Sequence, residues 1–180
     1  MRAVAATVAE QTSLPTQLTS FIGRHEQVEQ LVGLVGTQRL VTVCGAGGCG
    51  KTRLSVEALS VAQDRGPDAA RWVDLAAVTA AARVPEVVAA AVGVLVGAVA
   101  DPTAALVGGL GDHRVLLGID NCEHLLEPCG ELIEHLLRSC PGVSVLATSR
   151  EPLGVAGETV WRVPPMDERD VVALFMDRAR

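Results

Sequence analysis

The chain has 180 residues, 49% of them hydrophobic and 2% aromatic, with a formal net charge of −6 at pH 7. This length suits one domain around a single core, and an acidic balance without a basic stripe excludes direct nucleic-acid contact through this segment. Five cysteines at irregular spacing indicate free thiols in a reducing cytoplasm rather than a disulfide frame or a zinc site.

Residues 1–13 read as a polar, alanine-rich flexible leader with no apolar core for a secretory signal, and residues 14–180 as the domain. Leu14-Pro15 opens an extended stretch that reaches Phe21-Ile22-Gly23-Arg24. From Glu26 to Val35, apolar Val28, Leu31, Val32 and Val35 recur at helical spacing, which predicts an amphipathic helix. The β-branched segment Arg39 to Cys44 then reads as a buried strand.

Gly45-Ala46-Gly47-Gly48-Cys49-Gly50-Lys51-Thr52 follows, which fits G-x-x-x-x-G-K-[ST] at every fixed position. Lys51 to Gln63 reads as a helix, so a strand delivers a glycine loop to a helix N-terminus. The free N–H groups and positive dipole end there make a polyphosphate the natural ligand. Lys51 would reach the β and γ phosphates and Thr52 would hold Mg²⁺ through its hydroxyl. Lysine occurs once in the chain and arginine fourteen times, so the single lysine is the one this chemistry uses. The helix ahead of the strand is expected to lie as an accessory segment across the mouth of the nucleotide site.

The same glycines also spell a dinucleotide fingerprint, Gly45-x-Gly47-x-x-Gly50, with Asp74 in the place of a ribose-binding acid. Against that reading, Lys51-Thr52-Arg53 follows the third glycine at once, where a dinucleotide fold opens its helix with small or apolar residues.

Ala70 to Leu75 reads as the second strand, and Pro85 with Glu86 opens another helix. The run from Val87 to Ala100 is too short to cross a bilayer and predicts a buried helix. Asp101-Pro102 starts a further helix that ends by Gly108-Gly109. Arg114 to Asp120 is an apolar run without alternation, as expected of a strand buried on both faces, and it ends in a carboxylate placed to hold Mg²⁺. Asn121, the only asparagine, suits either a turn or a water or metal contact. Glu123 to Arg138 reads as a helix kinked or restarted at Pro128, and Val143 to Thr148 as a fourth strand whose edge presents Ser149-Arg150. Ligands of open α/β sheets bind at that edge, which makes Arg150 a candidate γ-phosphate sensor. Glu158 to Val163 is a fifth strand. Asp167 to Arg180 is a closing helix with Val171, Val172, Leu174, Phe175 and Ala179 apolar.

Leu14-Pro-x-x-Leu18-Thr-x-Phe21-Ile-Gly-Arg24, the phosphate loop, Leu116-Leu-Gly-Ile-Asp-Asn-Cys-Glu-His-Leu125 and Ala147-Thr-Ser-Arg-Glu-Pro-Leu153 together resemble the STAND-class signalling ATPases. The likeness is to the NB-ARC-related nucleotide-binding domain of bacterial LuxR-type and SARP-type transcriptional regulators. It implies a three-layer α/β P-loop NTPase with a mainly parallel five-stranded sheet in the order 2-3-4-1-5. It also implies a switch that binds ATP with Mg²⁺ and hydrolyses slowly or not at all by itself. By the same resemblance Gly23 and Arg24 would line the base side, Gly45 to Thr52 with Arg53 beside them would cradle the nucleotide, Asp120 would hold Mg²⁺, and Arg150 would read the γ-phosphate. Two departures stand out. No glutamate directly follows Asp120 as a general base, and the family's lid modules are absent after residue 180, leaving those modules or other protein domains as expected partners. Other readings are a metabolic phosphotransferase and a non-hydrolysing nucleotide-binding module.

Overall fold

The computed structural model describes residues 14–67, 69–97 and 101–178. The expected leader lies outside them. Five strands, β1 (Leu40–Cys44), β2 (Ala69–Asp74), β3 (Val115–Asp120), β4 (Val143–Ser149) and β5 (Thr159–Arg162), form one sheet in the order β2-β3-β4-β1-β5. Every pairing is parallel. β1 and β3 are buried along their whole length, which is why their sequences run apolar without alternation. β5 lies at the edge of the sheet and alternates half-buried with exposed positions.

Helices cover both faces. α1 (His25–Thr37) and α2 (Lys51–Gln63) pack Val28, Leu31, Val32, Leu54 and Leu59 against Val41, Val43, Trp72, Leu116 and Leu146. The opposite face carries α3 (Val84–Ala91), α4 (Pro102–Leu110) and α5 (Leu126–Ser139), whose Val84, Leu106, Ile133 and Leu136 meet Val73, Leu117, Ile119 and Val145. Successive strand side chains point to opposite faces, so each central strand feeds both cores.

Several expectations need correction. α1 is not laid across the mouth of the site: it packs beside α2, because its apolar stripe is completed by the α2 face and the sheet. The stretch before it, residues 14–24, reaches the loop instead. The helix expected through Val87 to Ala100 ends at Ala91. Gly93 takes φ 74°, its N–H donates to the Ala90 carbonyl, and the Val94 N–H donates to the Ala89 carbonyl, a left-handed cap that closes the last turn. Leu95, expected inside, is exposed, and residues 98–100 lie outside the described residues. α4 runs through Gly108-Gly109 to Leu110. Pro128 neither kinks nor restarts a helix, since α5 begins at Leu126 and places Pro128 in the first turn, where its missing N–H has no partner to lose.

The last helix, α6 (Glu168–Arg178), forms where the sequence places it, with most of its apolar side chains uncovered. Leu174 is half-buried, whereas Val171, Val172 and Phe175 are exposed. The helix is held through polar groups instead: Asp170 accepts from the Arg24 N–H at 2.9 Å, and Asp177 from the Ser20 hydroxyl at 3.0 Å. Ala179 lies outside the described residues.

Candidate functional site

β1 ends at Cys44 and the chain turns over the C-terminal edge of the sheet. The Gly45 N–H donates to the Ser149 carbonyl of β4, and the Val163 N–H donates to the Cys44 carbonyl, so the loop is pinned on both sides. Gly48 (φ 76°) and Gly50 (φ 92°) hold left-handed conformations that a side chain would strain. Gly50 is also the N-cap of α2, and no side chain caps that end, so the first-turn amides face the loop. Lys51, 9% exposed, folds its Nζ back to the carbonyls of Gly45 at 2.9 Å and Ala46 at 3.1 Å.

Asp120 meets the loop from β3. The Thr52 hydroxyl lies 2.9 and 3.1 Å from its two carboxylate oxygens, the Thr148 hydroxyl donates to Oδ1, and the Asn121 amide donates to Oδ2 at 3.2 Å. Burial pushes the Asp120 carboxyl above its ordinary value; the Thr148 and Thr52 hydrogen bonds oppose that rise and the Asp74 charge adds to it. Asn121 stands at φ 64°, the turn conformation the sequence offered, and its side-chain amide also donates to Asp74 Oδ1 at 2.9 Å. Two hard oxygen donors, Thr52 and Asp120, therefore converge beside the loop, a donor pair that suits Mg²⁺, which takes one or two protein oxygens and fills its shell with phosphate and water.

Arg150 leaves the end of β4 toward the loop, with Nη2 3.7 Å from where a Cβ on Gly47 would stand. Its Nε donates to Glu123 Oε1 at 3.1 Å. On the other side of the loop Arg24, at φ 57°, donates from Nη1 to the Cys49 carbonyl at 2.8 Å, and the neighbouring Gly23 has φ 68°. Arg53 stands beside the loop: its guanidinium donates to the backbone carbonyl and, at 2.9 Å, to the hydroxyl of Thr19, lies 5.9 Å from the Phe21 ring centroid, and the residue lines the cleft next to Gly50. A cleft of about 370 Å³, lined by Phe21, Ile22, Arg24, Gly50, Leu54 and Leu174 among others, opens beside the loop.

Thr148 and Asp170 belong to this constellation although sequence reading gave neither a role. Thr148 carried a signal in its place on the strand beside β3. Asp170 carried none. The dinucleotide reading does not survive the topology: β1 pairs with β4 and β5, and Asp74 stands on β2 beyond β3, whereas a dinucleotide fold sets its second strand beside the first. All five cysteines are free.

A parallel sheet in this order, with a glycine loop joining β1 to α2, defines the fold of the P-loop ATPases. Within that class, residues 15–153 match the family model Novel STAND NTPase 1, and the chain belongs to that family. It is 42% identical over 176 residues to an uncharacterised protein of Mycobacterium tuberculosis, covering 96% of this chain and 44% of that protein. It is 46% identical over 147 residues to a protein of the same organism described as an HTH-type transcriptional regulator, covering 81% of this chain and 16% of the relative. Against the regulatory protein AfsR of Streptomyces griseus the identity is 31% over 176 residues, covering 90% and 18%. The chain thus spans less than half the length of these curated relatives. Among solved structures, Cdc6p from Pyrobaculum aerophilum superposes with a TM-score of 0.66 at 19% identity over 96% of this chain and 52% of that one. A STAND protein with a tetratricopeptide repeat sensor from Pyrococcus horikoshii gives 0.60 at 15% over 94% and 27%. At these identities the structures speak to the fold alone. No helix among the described residues is long and apolar enough to cross a membrane.

Proposed function

We propose that this domain is the ATP-binding, Mg²⁺-dependent core of a switch within a transcriptional regulator, with slow hydrolysis at most. The observation that carries the reading is the convergence of the uncapped α2 N-terminus, Lys51 Nζ and the Thr52–Asp120 pair on one edge of the sheet. Lys51 would exchange two loop carbonyls for phosphate oxygens, a gain because a charged acceptor replaces neutral ones. Thr52 and Asp120 would hold the metal, which when bound neutralises phosphate charge. The cleft beside Phe21 and Ile22 offers an apolar wall to a base, and the absence of N-K-x-D from the sequence favours adenine over guanine. The relatives described as regulators support a signalling role and further domains as partners.

A phosphotransferase reading lacks comparable support, since the connection from Leu153 to Gly157 is too short and uncharged for an arginine-bearing lid. Calorimetry decides the main reading: Lys51→Ala should weaken ATP binding about tenfold or more, because each charge-assisted bond to phosphate contributes roughly 1.5 to 3 kcal/mol. Equal affinity in variant and parent would remove the phosphate-loop assignment. Asp120→Ala should abolish the dependence of ATP affinity on Mg²⁺, and a dependence that persists would take the metal from Asp120.

A further inference from the structure

The β3 edge carries two acids a turn apart. Asp120 faces Thr52, while Glu123, on the short turn Cys122–His124 that Asn121 opens, faces Arg150. The Glu123 side chain is only 18% exposed, against 66% for Arg150, and its Oε2 is buried with no hydrogen-bond partner. Arg150 is therefore the cation that offsets a largely buried charge, and this bond is what holds its exposed side chain. The way it is held is specific. Glu123 takes the Nε side of the guanidinium, while Nη2 lies on the side of Gly47 in the phosphate loop. Both residues line an open cleft of about 520 Å³ with Asn121, His124, Glu151 and Ala76.

We infer that Glu123 is a positioning residue that determines specificity for a nucleoside triphosphate over the diphosphate. It anchors Arg150 through the Nε–H so that the Nη groups, which Glu123 leaves open, meet a terminal phosphate. A guanidinium can bond a carboxylate and a phosphate at once because its donors lie in a rigid plane with separate edges. Without Glu123, an arginine this exposed swings into solvent, and ordering it becomes a cost of binding. A diphosphate ends one phosphate short of the guanidinium and does not benefit. This inference rests on the nucleotide-binding reading above and assigns the residue that gives the site its preference.

The experiment is isothermal titration of the parent, Glu123→Ala, Glu123→Gln, Arg150→Ala and the Glu123→Ala/Arg150→Ala double variant with a non-hydrolysable ATP analogue and with ADP, each with Mg²⁺. Glu123→Ala should weaken the triphosphate about tenfold and leave ADP within about twofold, the size expected for one aimed charge-assisted contact. Glu123→Gln, which keeps an oxygen to accept from Nε, should recover most of the loss. The double variant should be no weaker than Arg150→Ala, since both changes remove the same contact. Additive losses, equal losses for both nucleotides, or tighter triphosphate binding by Glu123→Ala would each overturn the inference, the last by making Glu123 a competitor for Arg150. Lys51→Ala in the same series separates the two readings. If it weakens binding while Glu123→Ala does not, the positioning role alone fails; if neither variant changes affinity, the nucleotide site itself is wrong.

Discussion

Gly23 shows how one residue outside the phosphate loop bears on it. Its φ of 68° lies in the region that favours glycine, and a Cβ there would come within 2.2 Å of the Asp170 carboxyl group. Asp170 cannot simply move away, because it accepts the Arg24 N–H, and Arg24 in turn holds the Cys49 carbonyl in the loop. Gly23→Ala should therefore cost about 1 to 3 kcal/mol through backbone strain and loss of that bond, read as a fall in Tm of roughly 2 to 12 °C. Asp170→Ala in the same chain should recover part of the loss, since it clears the space. Strictly additive Tm changes for the pair would show that Gly23 and Asp170 do not interact.

Among the helices, α3 shows how its end outweighs its composition. Val87 to Ala100 is apolar throughout, yet the helix stops at Ala91 because Gly93 accepts the left-handed conformation that lets two amides close the final carbonyls. Replacing it tests this directly. Gly93→Ala should destabilise the fold by about 1 kcal/mol, a fall in Tm of about 2 to 4 °C, because the alanine must sit at positive φ. An unchanged Tm would mean that packing of Val92 and Val94, rather than the cap, sets the boundary.

For the molecule as a whole, the exposed face of α6 is the feature that stands apart from the packed sheet. Val171, Val172, Phe175 and Met176 are 49%, 62%, 71% and 58% exposed, adjacent on one helix and touched by little else among the described residues. Grouped apolar side chains of this kind favour association, because joining two such faces removes both from water. The chain should show concentration-dependent self-association in sedimentation velocity, and Phe175→Ser with Val172→Ser should reduce it with little change in Tm. Association that survives the substitutions would place the contact elsewhere.

Much of this architecture was legible residue by residue. The five strands, the loop, α1, α2 and the acid at the end of β3 follow from apolar runs, helical spacing and glycine chemistry, all of which act between covalent neighbours. Strand order does not follow from such local patterns, and here it came from resemblance to a family. Order is what brings Thr52 to Asp120 across 68 positions, sets Thr148 against the same carboxylate, and leaves Asp74 a strand too far for a ribose-binding acid. The polar bonds of α6 to Ser20 and Arg24 span 157 and 146 positions and left no trace in its own sequence. Local sequence thus determined which elements form and which residues stand as candidates for a phosphate site. Only tertiary packing decided which of those residues meet and which apolar faces find cover, because contact between distant segments is settled by the whole sheet rather than by any one stretch.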